Sequence, residues 1–468
     1  MPDLRTLAES YTGVLFTHPE DMAPFLTDWR GQWRGAALAV ALPATTAEVS
    51  AVVTWCRKNG VPIVPQGGNT GLSGGAAPDT SGEALVLSLT RLNKIRAIDP
   101  ANNTITVEAG CILAHVQQAA EAADRLFPLS LGAEGSCTIG GNLSTNAGGT
   151  AVLRYGSARD LCLGVEVVTP SGEIWDGLRG LRKDNTGYDL RGLFIGAEGT
   201  LGVITAAVLK LFPRPVHRDA AYVGLVRPED ALELLARAQR RLGATLTAFE
   251  LISDAALRLV LEAFPALRSP FDTPSAWYVL LESTRGEGEA DGSAILEALL
   301  GDAFEAGVVE NAAIAASLAQ VRAFWSLRES ITEAQSHAGG AIKHDVSVPI
   351  SRIPAFVAEA SAGLAKTFPD NRLIVFGHVG DGNLHFNLSP PPGDRGAALM
   401  ADQQAINRLV HDCVARHGGS ISAEHGLGVL RRDEAERYKP PVELAMMRAI
   451  KRALDPDGLM NPGKVLNP

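Results

Sequence analysis

Val61–Pro78 reads VPIVPQGGNTGLSGGAAP, a short apolar run that breaks into a loop with glycine at 67, 68, 71, 74 and 75. Glycine takes up positive φ without penalty and lets the backbone approach a ligand closely. Successive amides in such turns form a concavity that suits an anion such as phosphate. No Gly-Lys-Ser/Thr follows, so this is not a P-loop, and no complete GxGxxG occurs in the chain. The pattern returns in LGAEGSCTIGGNLSTNAGGTAVLRYGSARD (Leu131–Asp160) and in LFIGAEGTLGVITAAVLKLFP (Leu193–Pro213). One such loop is an ordinary tight turn. Three in one block point to a ligand of nucleotide size.

Helices and strands alternate around these loops. TTAEVSAVVTWCRKNG reads as a helix capped by Thr and closed by Gly60, and ILAHVQQAAEAADR as another. ALVLSL, TITVEAG and GVEVVTPSGEIW read as strands, the last with a Ser-Gly turn. After PRPVHRD (Pro213–Asp219) the character changes: helical EDALELLARAQRRLG alternates with strand-like AWYVLLES, AIKHDVSVPI and RLIVFGHV. That pattern predicts an α+β layer with helices on one face of an antiparallel sheet.

Bulk properties exclude several classes. The 468 residues suffice for two or more domains, and 46% hydrophobic with 20% charged residues is ordinary globular composition. A formal charge of −10 argues against a sequence-independent nucleic-acid binder. No run approaches the length of a membrane helix. The opening MPDLRTLAESYTGVLFTHPED carries acids and lacks the pattern of a leader. Five scattered cysteines without a CxxC fit a reducing compartment. The expectation is a soluble cytoplasmic protein, with peripheral attachment to a membrane left open.

FGHVGDGNLHFN (Phe376–Asn387) holds two histidines seven residues apart around Asp-Gly. With Asp381 and Gly382 as a two-residue hairpin loop, His378 would face His385 directly and share its sheet face. Two imidazoles so placed suit one metal ion, and Asn387 would project from the same face. A hairpin with two hydrogen-bonded surface histidines is the alternative, and both stay open here. In WSLRESITEAQS, Arg328 and Thr332 lie four apart on one helix face, and an Arg fork suits a carboxylate. A solvated surface Arg is the plainer reading. Lys343 begins an alternating strand, on the face opposite Ile342.

The three glycine stretches together resemble the FAD-binding domain of the vanillyl-alcohol oxidase superfamily. FGHVGDGNLHFN, ISAEHGLG and LDPDGLMNPGKVL resemble its D-2-hydroxyacid dehydrogenase branch, and the likeness covers nearly the whole chain in the same motif order. The resemblance implies a two-domain α+β flavoenzyme: residues 1–215 binding FAD, 216–424 forming a substrate cap with a metal site, and 425–468 returning to the FAD domain. It implies that Pro65, Gly67, Gly68, Asn69, Thr70, Gly71 and Leu72 wrap the pyrophosphate. Thr138, Gly141, Asn142, Ser144, Asn146, Gly148 and Gly156 would lie along the isoalloxazine and ribityl chain. Glu198, Gly199, Gly202 and Val203 would lie beside the adenine end, with Asn461 near the ring. Covalent members often carry His where this chain has Asn69, so dissociable FAD is expected.

The resemblance also assigns Glu424 as third metal ligand beside His378 and His385, His425 as base, and Arg328 as holder of the substrate carboxylate. The donor set suits zinc, with manganese as the alternative. Oxidising a 2-hydroxy acid requires a held carboxylate, an aligned C2–H bond and a base for the hydroxyl proton. Within that branch the combination of Arg328, Thr332 and Lys343 resembles the members that act on a dicarboxylate, and this resemblance implies D-2-hydroxyglutarate oxidised to 2-oxoglutarate, with Asn387 also at the substrate. The alternatives are a D-lactate or glycolate-type dehydrogenase, an alkylglycerone-phosphate synthase-like transferase, and a non-catalytic flavin subunit. Quinone, cytochrome and electron-transfer flavoprotein remain open as electron acceptors, and so does the oligomeric state, a homodimer included.

Overall fold

The computed structural model describes residues 2–289 and 291–467, which fall into two compact units. The first comprises 1–149, 156–214 and 424–468, and the second 150–155 and 215–423.

In the first unit a four-stranded sheet runs Val14–Phe16, Ala39–Leu42, Leu85–Ser88, Ile63–Gln66 in space, and the last three strands are parallel. The connection between the Ala39 and Ile63 strands is the helix Thr46–Asn59. Its Thr45 side chain accepts from the Glu48 N–H, and Gly60 ends it at φ 64°. Val49, Val52, Val53 and Cys56 fall on one side of this helix and join Ala39, Ile63, Leu85 and Leu87 in the core. A five-stranded antiparallel sheet follows, in the order Ile95–Asp99, Thr104–Glu108, Val203–Lys210, Cys162–Val168, Ile174–Gly177. The chain's end returns to this unit: Ile63 donates to the Leu459 carbonyl and accepts from Asn461, which extends the edge of the first sheet.

The second unit is built on a seven-stranded sheet in the order Asn311–Ile314, His217–Leu225, Trp277–Arg285, Leu246–Ser253, Arg372–His378, Asn383–Ser389, Asp345–Ser347. Every pairing is antiparallel. The expectation of helices on one face only is corrected, because apolar residues alternate onto both faces. Ile252, Tyr278, Leu280 and Phe376 point to helices Asp254–Ala263, Leu318–Glu329 and Ile331–His337. Phe249, Leu251, Leu281 and Phe386 point the other way and are equally buried, with Phe386 against Phe356 of helix Ile353–Thr367 at 5.2 Å.

Three local expectations also change. The hairpin connection is four residues, Val379–Gly382, with Asp381 N–H on the His378 carbonyl and Gly382 N–H on that of Val379. His385 is therefore opposite Phe376, not His378. The helix through Arg328 and Thr332 breaks at Ser330 into two, leaving Arg328 buried and Thr332 exposed. The strand after Lys343 starts only at Asp345, although Ile342 makes an isolated bridge to Leu388 in the same register.

The five cysteines are all buried and none is in a disulfide. No helix among the described residues is long and apolar enough to cross a membrane.

Candidate functional site

The loop after Gln66 leaves the carboxyl end of a parallel strand, where open α/β sheets place their ligands. There the first unit forms an open-mouthed cavity. Pro65, Gly67, Gly68, Asn69, Thr70 and Gly71 line it from the first loop. Thr138, Gly141, Asn142 and Ser144 line it from the second, and Glu198, Gly199, Gly202 and Val203 from the third. Leu72, Asn146, Gly148, Gly156 and Asn461 are not on its wall. The loops are stacked backbone on backbone: a Cβ on Gly68 would sit 2.1 Å from the Ser136 carbonyl oxygen.

Seven non-glycine residues among those described have positive φ, and Asn69, Asn146, Glu198 and Asn461 are four of them. Such conformations cost about 1–3 kcal/mol each and persist where the surroundings over-determine them. Here the surroundings are explicit. Asn69 donates from Nδ2 to the Thr27 carbonyl at 2.8 Å, and Asn146 accepts from the Arg159 N–H at 2.9 Å. Asn461 Nδ2 donates to the Gly75 and Glu198 carbonyls at 3.0 and 2.7 Å. The Glu198 carboxylate accepts the N–H groups of Leu427 and Gly428 at 2.7 and 2.8 Å. Burial pushes the Glu198 carboxyl up, against the pull of those two amides and of Arg431 and Lys464.

Those bonds fasten the segment that carries His425, which itself lines the cavity. Ser73 Oγ donates to the His425 and Gly426 carbonyls at 3.0 and 3.1 Å. Glu424 accepts from the Gly149 N–H at 2.7 Å. FAD fits this cavity on two counts. Its wall is a run of glycine-loop amides, and the buried Thr138 Oγ1 on that wall has no partner among the described residues. A buried polar atom left so costs roughly 1–3 kcal/mol unless a ligand answers it.

In the second unit the polar candidates gather at one end of the sheet. His378 and His385 are not directly opposed, yet their rings meet at 5.9 Å, inclined at 75°. A register shift of two residues leaves every side chain on its original face, whereas a shift of one would have separated them. Asp345 is opposite His385, and the bridges on either side of it set Lys343 opposite Asn387 on that same face. Asn387 donates to Gln335 Oε1 and accepts from the His344 N–H, both at 3.0 Å. Lys343 is half-buried. Ala423 N–H donates to the Asp345 carbonyl at 3.2 Å.

Two residues here escaped the sequence reading. Glu250 is fully buried opposite His378. It accepts from His378 Nδ1 at 2.6 Å and from Arg328 Nε at 2.8 Å. Burial alone would raise its carboxyl, but His378 and Arg328 outweigh burial and hold it at about 2. The Arg328 guanidinium lies 4.7 Å above Phe376, whose ring is 4.8 Å from that of His385. Asp345, the second, accepts from Asn383 Nδ2 at 2.9 Å. The signal for Glu250 was present: one acid inside the apolar run LTAFELIS must be paired if that run is buried.

The sequence profile of FAD linked oxidases, C-terminal domain, matches residues 214–465, and that of an FAD binding domain matches 37–177. A D-2-hydroxyglutarate dehydrogenase of Xanthomonas citri pv. viticola is 41% identical over 96% of this chain and 94% of its own. The mitochondrial D-2-hydroxyglutarate dehydrogenase of Arabidopsis thaliana is 40% identical over 94% of this chain and 77% of its own. Among solved structures, p-cresol methylhydroxylase with substrate bound superposes with a TM-score of 0.76 at 19% identity, covering 99% of this chain and 95% of that one. An alkyldihydroxyacetonephosphate synthase does so with a TM-score of 0.72 at 17% identity over 98% and 84%. At such identities the two structures speak to the fold alone.

Proposed function

The chain belongs to the FAD-linked oxidases, and from that membership we propose that it oxidises D-2-hydroxyglutarate to 2-oxoglutarate. The observation that carries the reading is the pair of cations at one end of the second unit's sheet. Arg328 is stacked on Phe376, and Lys343 is opposite Asn387 on that same face. One cation answers the carboxylate beside the reacting carbon, and a second implies a second carboxylate.

In this reading Arg328 binds the C1 carboxylate with its two terminal nitrogens, since Nε is taken by Glu250. Lys343 and Thr332 bind the distal carboxylate, and Asn387 orients the substrate. The three glycine loops and Asn461 hold FAD without a covalent bond, Asn69 standing where attachment would need a nucleophile. FAD, when bound, supplies the acceptor for the C2 hydride. His425, on the wall of that cavity, takes the hydroxyl proton.

The ring pair His378 and His385, with Glu424 next after Ala423 in the chain, is proposed to hold a divalent ion, zinc by its donors and manganese as the alternative. The His378 geometry fits: a carboxylate can only accept, so Nδ1 carries the proton and Nε2 is the nitrogen for a metal. Such an ion would lower the pKa of the substrate hydroxyl. Reoxidation needs a further acceptor, a quinone, a cytochrome or an electron-transfer flavoprotein, and the five free cysteines support a cytoplasmic protein, with peripheral membrane attachment as the alternative.

Anaerobic addition of D-2-hydroxyglutarate should bleach the flavin absorbance, and acid should release intact FAD into the supernatant. D-Lactate should bleach it more slowly. Faster bleaching by D-lactate or glycolate moves the enzyme to the alternative substrates, and no bleaching by any D-2-hydroxy acid defeats the reading. Dialysis against a strong chelator should abolish turnover while the yellow colour stays. Full activity in a metal-free preparation removes the ion from the mechanism.

A further inference from the structure

Glu250 has none of its surface exposed, and it shares a sheet face with the apolar residues Ile252, Leu280 and Phe376. Burying a carboxylate there is costly, and a buried ion pair is on average no more stable than apolar residues of the same volume. Fold stability therefore does not explain this residue. Its geometry does. The two carboxylate oxygens are divided between two groups: Oε1 takes the Nδ1 proton of His378, and Oε2 takes the Nε proton of Arg328. The first bond fixes a histidine tautomer. The second fixes the roll of a guanidinium, which Phe376 supports from below.

We propose that Glu250 is the positioning residue shared by the metal ligand His378 and the carboxylate-binding Arg328, so that one buried carboxylate sets the geometry of both. This inference rests on the function proposed above. A metal-bound imidazole oriented through its second nitrogen commonly loses about 10–100-fold in metal affinity when that partner is removed. A Gln at this position has one acceptor oxygen for two donors, so at least one bond must fail. Arg328→Met, by contrast, leaves His378 its carboxylate.

The test uses the FAD-loaded enzyme, with Zn²⁺ affinity read by chelator competition beside KM and kcat for D-2-hydroxyglutarate. Glu250→Gln should lose about 10–100-fold in Zn²⁺ affinity and raise KM, with flavin content unchanged. Arg328→Met should raise KM and hold Zn²⁺ within about threefold of wild type. Wild-type zinc affinity together with a wild-type KM in Glu250→Gln overturns the proposal. So does an equal loss of zinc in both variants, which would report general damage to this end of the sheet. Should Glu250→Gln fail to fold, ¹⁵N NMR of the metal-free wild type still decides: His378, assigned through His378→Gln, must carry its proton on Nδ1. A proton on Nε2 overturns the proposal. A wild type that takes up no zinc defeats the metal reading instead, and the NMR result with the KM of Glu250→Gln still decides the role of Glu250.

Discussion

In the first unit the candidate residues are held by backbone conformation, and in the second by strand register. Asn69, Asn146, Glu198 and Asn461 all have positive φ, whereas Arg328, Lys343, His378, His385 and Asn387 all have ordinary values. The cofactor cavity is thus a set of close backbone approaches in which most side chains are absent or turned away. The proposed substrate end is a set of side chains on regular elements, where the chemistry of each group counts. The two regions should therefore fail differently. Adding one carbon should ruin the first, and removing one charge should impair the second.

The largest effect tests the first half of that contrast. Gly68→Ala would place a methyl group 2.1 Å from the Ser136 carbonyl oxygen, in a part of the loop that backbone alone defines. The purified variant should be colourless and inactive, with the second unit's thermal transition intact. A yellow, active Gly68→Ala protein would show that the loops are looser than their packing implies.

His425→Ala comes next. It should lower kcat by about 10²–10⁴-fold, the range of a proton-transfer group, with flavin content kept. A kcat within threefold of wild type takes His425 out of the mechanism.

Lys343→Met tests the second half of the contrast at smaller scale. A charge-assisted bond of about 1.5–3 kcal/mol corresponds to roughly 10–100-fold in kcat/KM for D-2-hydroxyglutarate, and D-lactate turnover should fall much less. Equal losses on both substrates would assign Lys343 to the common carboxylate or to the sheet.

The smallest effect separates the frame of the first unit from its cavity. The Lys464 ammonium is buried 5.4 Å from the centre of the Trp33 ring. Burial first, and Arg432 after it, lower its pKa to about 8, against Asp79 and Glu198. A lysine whose folded pKa lies below its ordinary value is a burden while protonated. That burden is full below about pH 8 and fades as the pH rises toward the ordinary value. Lys464→Met should therefore raise the Tm at pH 7 by roughly 2–4 °C, the scale of about 1 kcal/mol in a unit of this size, and the gain should shrink above pH 8. A gain that does not change with pH would mean that packing, not charge, is responsible.

Much of this was legible in the sequence because it depends on local rules. Thr45 and Gly60 bound their helix as capping chemistry requires, and the strand Leu85–Ser88 is where apolar β-formers stand in a row. The family motifs led to the oxidase fold. The hairpin was harder. Asp381-Gly382 does mark the turn, but the loop also takes in Val379 and Gly380, because two successive turn bonds, from Asp381 and Gly382, close it. The error spanned two residues, an even number, so the histidines kept their common face. Glu250 could not be placed, because its partners lie 78 and 128 positions away along the chain. The break at Ser330 was equally hidden: ITEAQSH continues the helical composition, and only packing separates the two pieces.

The six residues Thr150–Tyr155 leave the first unit's chain and belong to the second, between Gly149 at φ 103° and Gly156 at φ 80°. Arg154 donates there to the Thr284 carbonyl and Oγ1 at 2.5 and 2.6 Å, and Leu153 fills the space beside Gly380. The two units are consequently not exchangeable by cutting at Pro215 and Ala423. A fragment expressed between those cuts would lack an arginine that ties down its Thr284 strand and a leucine that packs under its histidine hairpin. A chimera that grafts a relative's substrate half onto this flavin half would inherit the wrong six residues unless they travel with the graft. Substrate halves in this fold would therefore diversify in step with a short piece of the cofactor loop, so that a change of specificity leaves a mark in a sequence segment that never needs to touch the substrate.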